Sequence, residues 1–177
     1  MAHFKHTTWH RQRGLTLVEL MVTIAVIAIL ATTAVSTMSN MRAKQQVIAA
    51  AEEIQSKFYR AKSLRGKRGN DIKLIFDDEN SPSTLTLVDA TDDEVPFENP
   101  IEVLQISDKH SNVSISPNAK DWKFTYLSET QTSGSILISK AGYEVKVVSS
   151  SSGRVRICSV TTASKRLERY PETDCAS

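Results

Sequence analysis

Gly14-Leu-Thr-Leu-Val-Glu19, followed by Leu20-Met-Val-Thr-Ile-Ala-Val-Ile-Ala-Ile-Leu-Ala-Thr-Thr-Ala-Val35, is the stretch that decides the fold of this chain. Glu19 is its single charged residue. A helix from Leu15 to Val35 is roughly 31 Å long at about 1.5 Å per residue, which is enough to cross the hydrocarbon core of a bilayer. The sequence therefore predicts a membrane-spanning helix over residues 15–36.

The segment before this helix, residues 1–14, is basic. It contains Lys5, Arg11 and Arg13 and no acidic residue. Positive charge before an apolar span keeps that end in the cytoplasm. We therefore expect a single-pass topology in which the rest of the chain lies on the far side of the membrane.

An ordinary secretory signal peptide is the alternative for this region. Ala31 and Ala34 are compatible with its small-residue cleavage site. The apolar run is longer than a typical signal core, however, and it keeps a carboxylate near its start. Both features favour a retained helix.

The pattern from Gly14 to Glu19 resembles the prepilin motif of type IV pilins. The resemblance implies that a prepilin peptidase cleaves after Gly14, that Leu15 becomes the methylated first residue, and that residues 1–14 are lost. It also implies that Glu19 pairs with the new amine of a neighbouring subunit during assembly, since an acid within hydrocarbon needs a partner. The implied partners are the peptidase, other pilins and bacterial inner-membrane lipid, and the implied destination is a pilus or pseudopilus.

The helical pattern continues beyond the apolar segment, over residues 37–66. Five apolar residues and the stem of Arg65 recur at spacings of three and four, which predicts one buried face: Val47, Ala51, Ile54, Phe58, Ala61 and Arg65. We predict one helix of about 50 residues that ends at Gly66 and Gly69. Many pilin-like helices have a proline where this chain has Ser36, so a kink there is not expected.

Residues 70–177 change to the two-residue period of β-strands. Turn residues separate eight candidate strands: Ile72–Phe76, Thr84–Val88, Ile101–Ile106, Val113–Ile115, Trp122–Tyr126, Ser135–Ser139, Tyr143–Val148 and Arg154–Val160. The acidic stretch Asp89–Glu98 is expected to be a solvated loop. The predicted class is α+β, a type IV pilin fold in which the long helix packs on antiparallel sheet.

Charge is strongly segregated along the chain. Residues 42–68 contain eight Lys or Arg and two acids, whereas residues 71–108 contain eleven acids and one Lys. The acidic middle cannot meet a polyanion, so a nucleic acid would have to meet the basic helix or the basic tail. The run Lys57–Arg68 is also typical of a solvated helix face, or of one that contacts lipid or acidic neighbours.

The pattern after the helix resembles the FimT/GspH family of minor pilins and pseudopilins. Gly153-Arg154-Val155-Arg156 is similar to the Gly-Arg-x-Arg sequence by which the FimT branch is implicated in DNA binding during natural transformation. Arg154 and Arg156 are expected to share one strand face, with the amides of Ser149–Gly153 facing phosphate. Three further cations would extend the patch: Lys165, Arg166 and Arg169.

Two alternatives to DNA binding remain open. The two arginines are equally typical of a solvated edge strand that discourages aggregation. A GspH-like pseudopilin of type II secretion, or a pilus-priming subunit, would act by protein contact alone, with the acidic surface as its partner face.

The two cysteines, Cys158 and Cys175, are separated by sixteen residues. Delivery to an oxidising compartment favours a disulfide between them, and two separate thiols are the alternative. Closing such a loop would stabilise the fold by roughly 3 kcal/mol in the chain-entropy model.

No pattern indicates an enzyme, a cofactor or a metal site. His110 is expected to be a surface residue, and no set of Cys, His and acids has metal-ligand spacing. Trp122, Phe124 and Tyr126 alternate as core residues of a strand do.

Overall fold

The computed structural model describes residues 16–77, 83–90, 100–106, 110, 113–126, 131–161, 163–165 and 167–170, without the side chains of residues 33–37. The chain divides into two units, Met1–Ser39 and Asn40–Ser177. We call the second the globular unit. The leader and residues 78–82 and 91–99, which include most of the predicted acidic loop, lie outside the described residues.

One helix, α1, runs from Leu17 to Arg68. Thr16 caps its start, where its Oγ1 accepts the N–H of Glu19 at 3.2 Å. At the other end Gly69 has φ of 71° and donates its N–H to the carbonyl of Arg65. The helix passes through Gly66, so the prediction that it ends there is wrong, because a single glycine is tolerated in a helix while the chain reversal needs positive φ.

In the first unit, the described side chains of the apolar stretch are all exposed in the isolated chain. Among the described residues, no helix combines the length and the apolar character of a membrane span. The membrane segment over 15–36 stays a prediction.

The predicted buried face of α1 is confirmed within the globular unit. Val47, Ala51, Ile54, Phe58 and Ala61 are each at most 1% exposed. These side chains belong to the same core cluster as residues of both sheets. The globular unit is therefore built around one face of α1.

Within the described residues, eight strands follow the helix and form two antiparallel sheets. Their bounds are β1 Ile72–Asp77, β2 Thr84–Asp89, β3 Glu102–Gln105, β4 Ser114–Pro117, β5 Asp121–Phe124, β6 Gly134–Lys140, β7 Tyr143–Ser149 and β8 Val155–Ser159. The first sheet has the order β3-β2-β1-β5 and the second β4-β6-β7-β8. Each predicted strand overlaps one of these, so the α+β prediction is confirmed.

A tight hairpin between β6 and β7 sets the register of the second sheet. Lys140 pairs with Tyr143, and the two residues between them, Ala141 and Gly142, have φ of 50° and 85°. Positive φ at both positions is the geometry of a type I′ turn, whose twist matches that of the strands. The register places Val148 opposite Ser135 on one side and opposite Arg156 on the other.

Aromatic rings fill the centre of the core. Phe58 packs edge-on against Trp122 and Phe124, with ring centroids 5.3 and 6.1 Å apart. Tyr126, predicted to continue this alternation, is 48% exposed because β5 ends at Phe124. The aromatic prediction is therefore correct for two of its three residues.

β6 approaches β5 closely at Gly134. A Cβ at this position would lie 2.6 Å from Nε1 of Trp122, which is fully buried. We expect Gly134→Ala to destabilise the globular unit by about 1–3 kcal/mol, the usual cost of overpacking. The measurement is denaturant unfolding followed by circular dichroism.

Gly66→Ala is the matched control for this prediction. Nothing lies within 4 Å of a Cβ at Gly66, which is exposed inside α1. It should stabilise the helix by about 0.5–1 kcal/mol, since alanine is the better helix former. Equal effects of the two changes would contradict this description of the β5–β6 contact.

Candidate functional site

The turn that leads from β7 into β8 contains the serine run and the Gly-Arg-Val-Arg sequence. Gly153 is buried and has φ of 81°, a conformation that favours glycine. Its N–H donates to the carbonyl of Ser150 at 2.9 Å. Ser150 donates its N–H to the carbonyl of Arg154, and its Oγ accepts the N–H of Arg154. The turn is thus closed by its own hydrogen bonds.

This closure corrects one part of the sequence prediction. The amides of Ser150, Gly153 and Arg154 are used inside the turn, so they cannot face a phosphate as predicted. Serine hydroxyls often form hydrogen bonds with nearby backbone groups. Here the hydroxyl of Ser150 bonds the backbone of Arg154 and so stabilises the turn. Of the predicted amides, those of Ser150 and Gly153 are therefore not available to an anion.

Gln131 supports the turn from the neighbouring segment and was not identified from the sequence. It is 7% exposed, and its Nε2 donates to Oγ of Ser149 and to the carbonyl of Ser150. Its own N–H donates to the carbonyl of Ser151. No spacing rule connects residues eighteen positions apart, so this contact depends on the tertiary fold.

The two arginines of the sequence lie in different settings. Arg154 is exposed and precedes β8, which begins at Val155. Arg156 lies within β8, is half-buried and pairs in register with Val148. The prediction of two equivalent arginines on one extended strand therefore holds only in part, because the strand starts after Arg154.

Side chains of α1 bond the backbone of this same segment. Lys62 donates to the carbonyl of Gly153 at 2.6 Å, while Tyr59 and Gln55 donate to the carbonyl of Val155 at 3.2 and 3.4 Å. β8 is the edge strand of its sheet. The helix side chains therefore form hydrogen bonds with backbone carbonyls that β7 does not bond. They also fix the position of the turn relative to α1.

The basic run Lys57–Arg68 is therefore not simply a solvated face. Besides Lys62, Lys57 forms an ion pair with Glu102, and Nε of Arg60 lies 3.7 Å from the same carboxylate. Arg65 donates to the carbonyl of Thr125 at 3.1 Å. Four of its cations thus hold the sheets on the helix.

A cleft of about 440 Å³ opens beside the turn, on the second sheet. Its described lining residues include Lys146 of β7, Arg156 of β8, Asn118 and Ser149–Ser151, and no acidic side chain. Arg154 is not among them. Lys146 is not identifiable as a site residue from the sequence, because only the register of β7 with β8 brings it to this cleft.

Two of the three tail cations, Lys165 and Arg169, contact α1 and do not line this cleft. Nζ of Lys165 bonds Oδ1 of Asn40 at 2.7 Å, and Arg169 forms an ion pair with Glu52 at 3.2 Å. Burial raises the pKa of Tyr170 to about 12, helped by its hydrogen bond to Glu52. Arg166 lies outside the described residues.

Cys158 is fully buried and disulfide-bonded. Its predicted partner, Cys175, lies outside the described residues, so the pairing Cys158–Cys175 stays a prediction.

His110 corrects another expectation. It is 9% exposed, and its Nε2 lies 2.8 Å from Oε2 of Glu53 on α1. The prediction of a surface histidine is wrong, because a carboxylate 57 positions earlier in the chain supplies a partner. Within the described part of the chain, no group of three or more potential metal ligands occurs.

The assembly residues are only partly within the described chain. Gly14 and Leu15 lie outside it, so the cleavage site is not described. Glu19 is exposed in the first turn of α1. An acid there is also favoured by the helix dipole, which gives it a local role besides the predicted one in assembly.

Comparison with known proteins identifies similarities in the N-terminal sequence and in the fold. Residues 9–35 match the prokaryotic N-terminal methylation motif. The fold is similar to two crystal structures of the type IV minor pilin FimU from Pseudomonas aeruginosa, in space groups P21 and P65, each 16% identical in sequence. The first has a TM-score of 0.54 and covers 70% of this chain and 94% of FimU; the second has 0.50, with 68% and 96%. No curated protein sequence matches the chain.

The chain therefore combines a prokaryotic N-terminal methylation motif with a fold similar to that of a type IV minor pilin.

Proposed function

We propose that this protein is a minor type IV pilin. A prepilin peptidase cleaves it after Gly14, the inner membrane holds it by residues 15–36 with the globular unit in the periplasm, and it is then incorporated into a pilus. The observation that carries this proposal is the methylation motif at residues 9–35 followed by a fold similar to that of a minor pilin.

We further propose that it is a FimT-like member that binds extracellular DNA, without sequence preference, for uptake in natural transformation. Supporting this, Arg154 is exposed on a turn closed by hydrogen bonds, and Arg156 borders a cleft whose described lining has no acidic side chain. Guanidinium groups suit phosphate oxygens because their forked donors match two acceptors at once. Buried contacts behind the turn, from Gln131 and Lys62, hold it in place.

Removing both arginines tests this proposal. Each phosphate contact contributes about 0.9 to the slope of log affinity against log salt. Arg154→Gln with Arg156→Gln should therefore weaken duplex binding by about 60-fold at 0.1 M salt, and reduce a slope near −3.6, expected for about four contacts, by about 1.8. Fluorescence anisotropy of labelled duplex with the full chain in non-ionic detergent measures both.

Lys67→Gln serves as the control, since it removes one charge from an exposed site in the last turn of α1. It should leave affinity and slope nearly unchanged. Absence of binding by the unmodified protein at high concentration and low salt would reject the DNA-binding role.

A GspH-like pseudopilin or priming subunit that acts by protein contact alone is the second candidate. One observation favours it: Lys165 and Arg169, expected to extend a DNA-binding patch, contact Asn40 and Glu52 instead. Cross-linking in cells from an exposed position such as Val103 would then capture other pilins while DNA binding is absent.

A further inference from the structure

We propose that the cleft beside the serine turn is a phosphate-binding site in which Lys146 and Arg156 hold one phosphate together. This refines the proposed DNA-binding function and relies on it for the source of the phosphate. The sequence predicts that Arg154 and Arg156 bind phosphate as a pair. In this site the pair is instead Lys146 of β7 and Arg156 of β8. Arg154 then contributes from outside the cleft.

Strand register places the two cations on the same face of the sheet. Val148 pairs with Arg156, and Lys146 pairs with Cys158. Residues two apart on a strand point to the same side, so Lys146 and Arg156 are diagonal neighbours, typically about 7–8 Å apart. Both are half-buried and both line the cleft. Side chains of this length can reach a single anion from such positions.

Asn118 adds a donor whose orientation its hydrogen bonds determine. Its Oδ1 accepts the N–H of Ser135 at 2.5 Å, and its own N–H donates to the carbonyl of Ser135 at 2.9 Å. The side-chain oxygen therefore faces β6, which leaves Nδ2 as the remaining donor of a residue that lines the cleft.

Ser149 borders the cleft, but its side chain lies on the opposite face of β7 from Lys146, where its Oγ accepts a hydrogen bond from Nε2 of Gln131. The donors of the site are therefore the two cations and the amide of Asn118. Together they match an anion that has several acceptor oxygens, as a phosphate does.

A neighbouring cleft provides an internal comparison. Arg156 also borders a second cleft of about 380 Å³ on the side of α1, where Glu52 and Arg169 are among the lining residues. A carboxylate there opposes anion binding, whereas the described lining of the first cleft has none. The charge distribution therefore favours the cleft that contains Lys146.

Lys146→Gln is the decisive variant, compared with Lys67→Gln and with Arg156→Lys in the full chain. Lys146→Gln should weaken duplex binding by up to about eightfold at 0.1 M salt, the loss expected if the shared phosphate contact fails completely. Arg156→Lys should give an intermediate loss, because it keeps the charge and loses the fork. Thermal unfolding verifies that each variant is folded.

A second measurement uses inorganic phosphate in place of DNA. Phosphate should raise the unfolding temperature relative to chloride at equal ionic strength, and Lys146→Gln should abolish that increase. This readout separates the two proposals. If the protein does not bind DNA but phosphate stabilises it through Lys146, the site exists and the DNA-binding function is rejected.

The opposite result rejects the site alone. If DNA binds, Arg154→Gln weakens it, and Lys146→Gln behaves like Lys67→Gln in both measurements, the function stands and phosphate does not bind in this cleft. If the unmodified protein neither binds duplex DNA nor is stabilised by phosphate, both proposals are rejected.

Discussion

Replacing Phe58 by alanine is expected to lower the free energy of unfolding of the globular unit by about 3–5 kcal/mol, the range for removing a buried aromatic side chain. Phe58 is 1% exposed and its ring packs edge-on against Trp122 and Phe124, so the cavity would open where α1 meets β5. A typical domain of this size is stable by only about 5–15 kcal/mol. The variant should therefore be close to unfolded at growth temperature.

Denaturant titration followed by circular dichroism measures this loss, with Tyr59→Phe as the control. Tyr59 is the next residue of the same helix, is 51% exposed and donates one hydrogen bond to the carbonyl of Val155. Its removal should cost about 0.5–1.5 kcal/mol. Comparable losses in the two variants would show that the ring cluster is not the main contact between helix and sheet.

Glu19→Gln is expected to abolish incorporation of the protein into filaments while leaving it in the membrane fraction. Glutamine has nearly the shape of glutamate but no charge, so it cannot pair with a cationic amine at Leu15 of another subunit. An acid retained within an apolar segment at a cost of about 2.5–3.5 kcal/mol needs such a partner. Immunoblotting of sheared pili against whole cells measures the distribution.

Thr16→Ala separates assembly from local helix capping. Oγ1 of Thr16 accepts the N–H of Glu19, and losing a cap of this kind costs about 0.5–2 kcal/mol. If Glu19 served only the helix start, the two variants would behave alike. Incorporation that survives in Thr16→Ala and fails in Glu19→Gln supports a role of the charge itself.

The elements of this fold were predictable because their signals are local. The spacing of Val47, Ile54 and Phe58 defines a helix face, and the eight strands have turn residues between them. Gly142 follows the same logic, since a two-residue connection between apolar strands requires positive φ. Local rules sufficed wherever the partner of a residue lay within a few positions.

The side-chain network of the candidate site was not predictable for the converse reason. Lys62 and Gly153 are 91 positions apart, and His110 and Glu53 are 57 apart. Without these partners, the sequence indicates solvent-facing side chains for Lys62 and His110. Lys146 reaches the cleft only through the register of β7 with β8. Sequence reasoning therefore identified Arg156 by resemblance and missed the residues that position it.

The bonds from α1 to the carbonyls of Gly153 and Val155 have a consequence for the proposed assembly into a filament. An unpaired sheet margin invites an extended segment from an adjacent molecule to add itself as another strand. Such a segment would need carbonyl acceptors that are already bonded to side chains of Gln55, Tyr59 and Lys62. In the proposed filament, subunits could then lie side by side without their sheets joining.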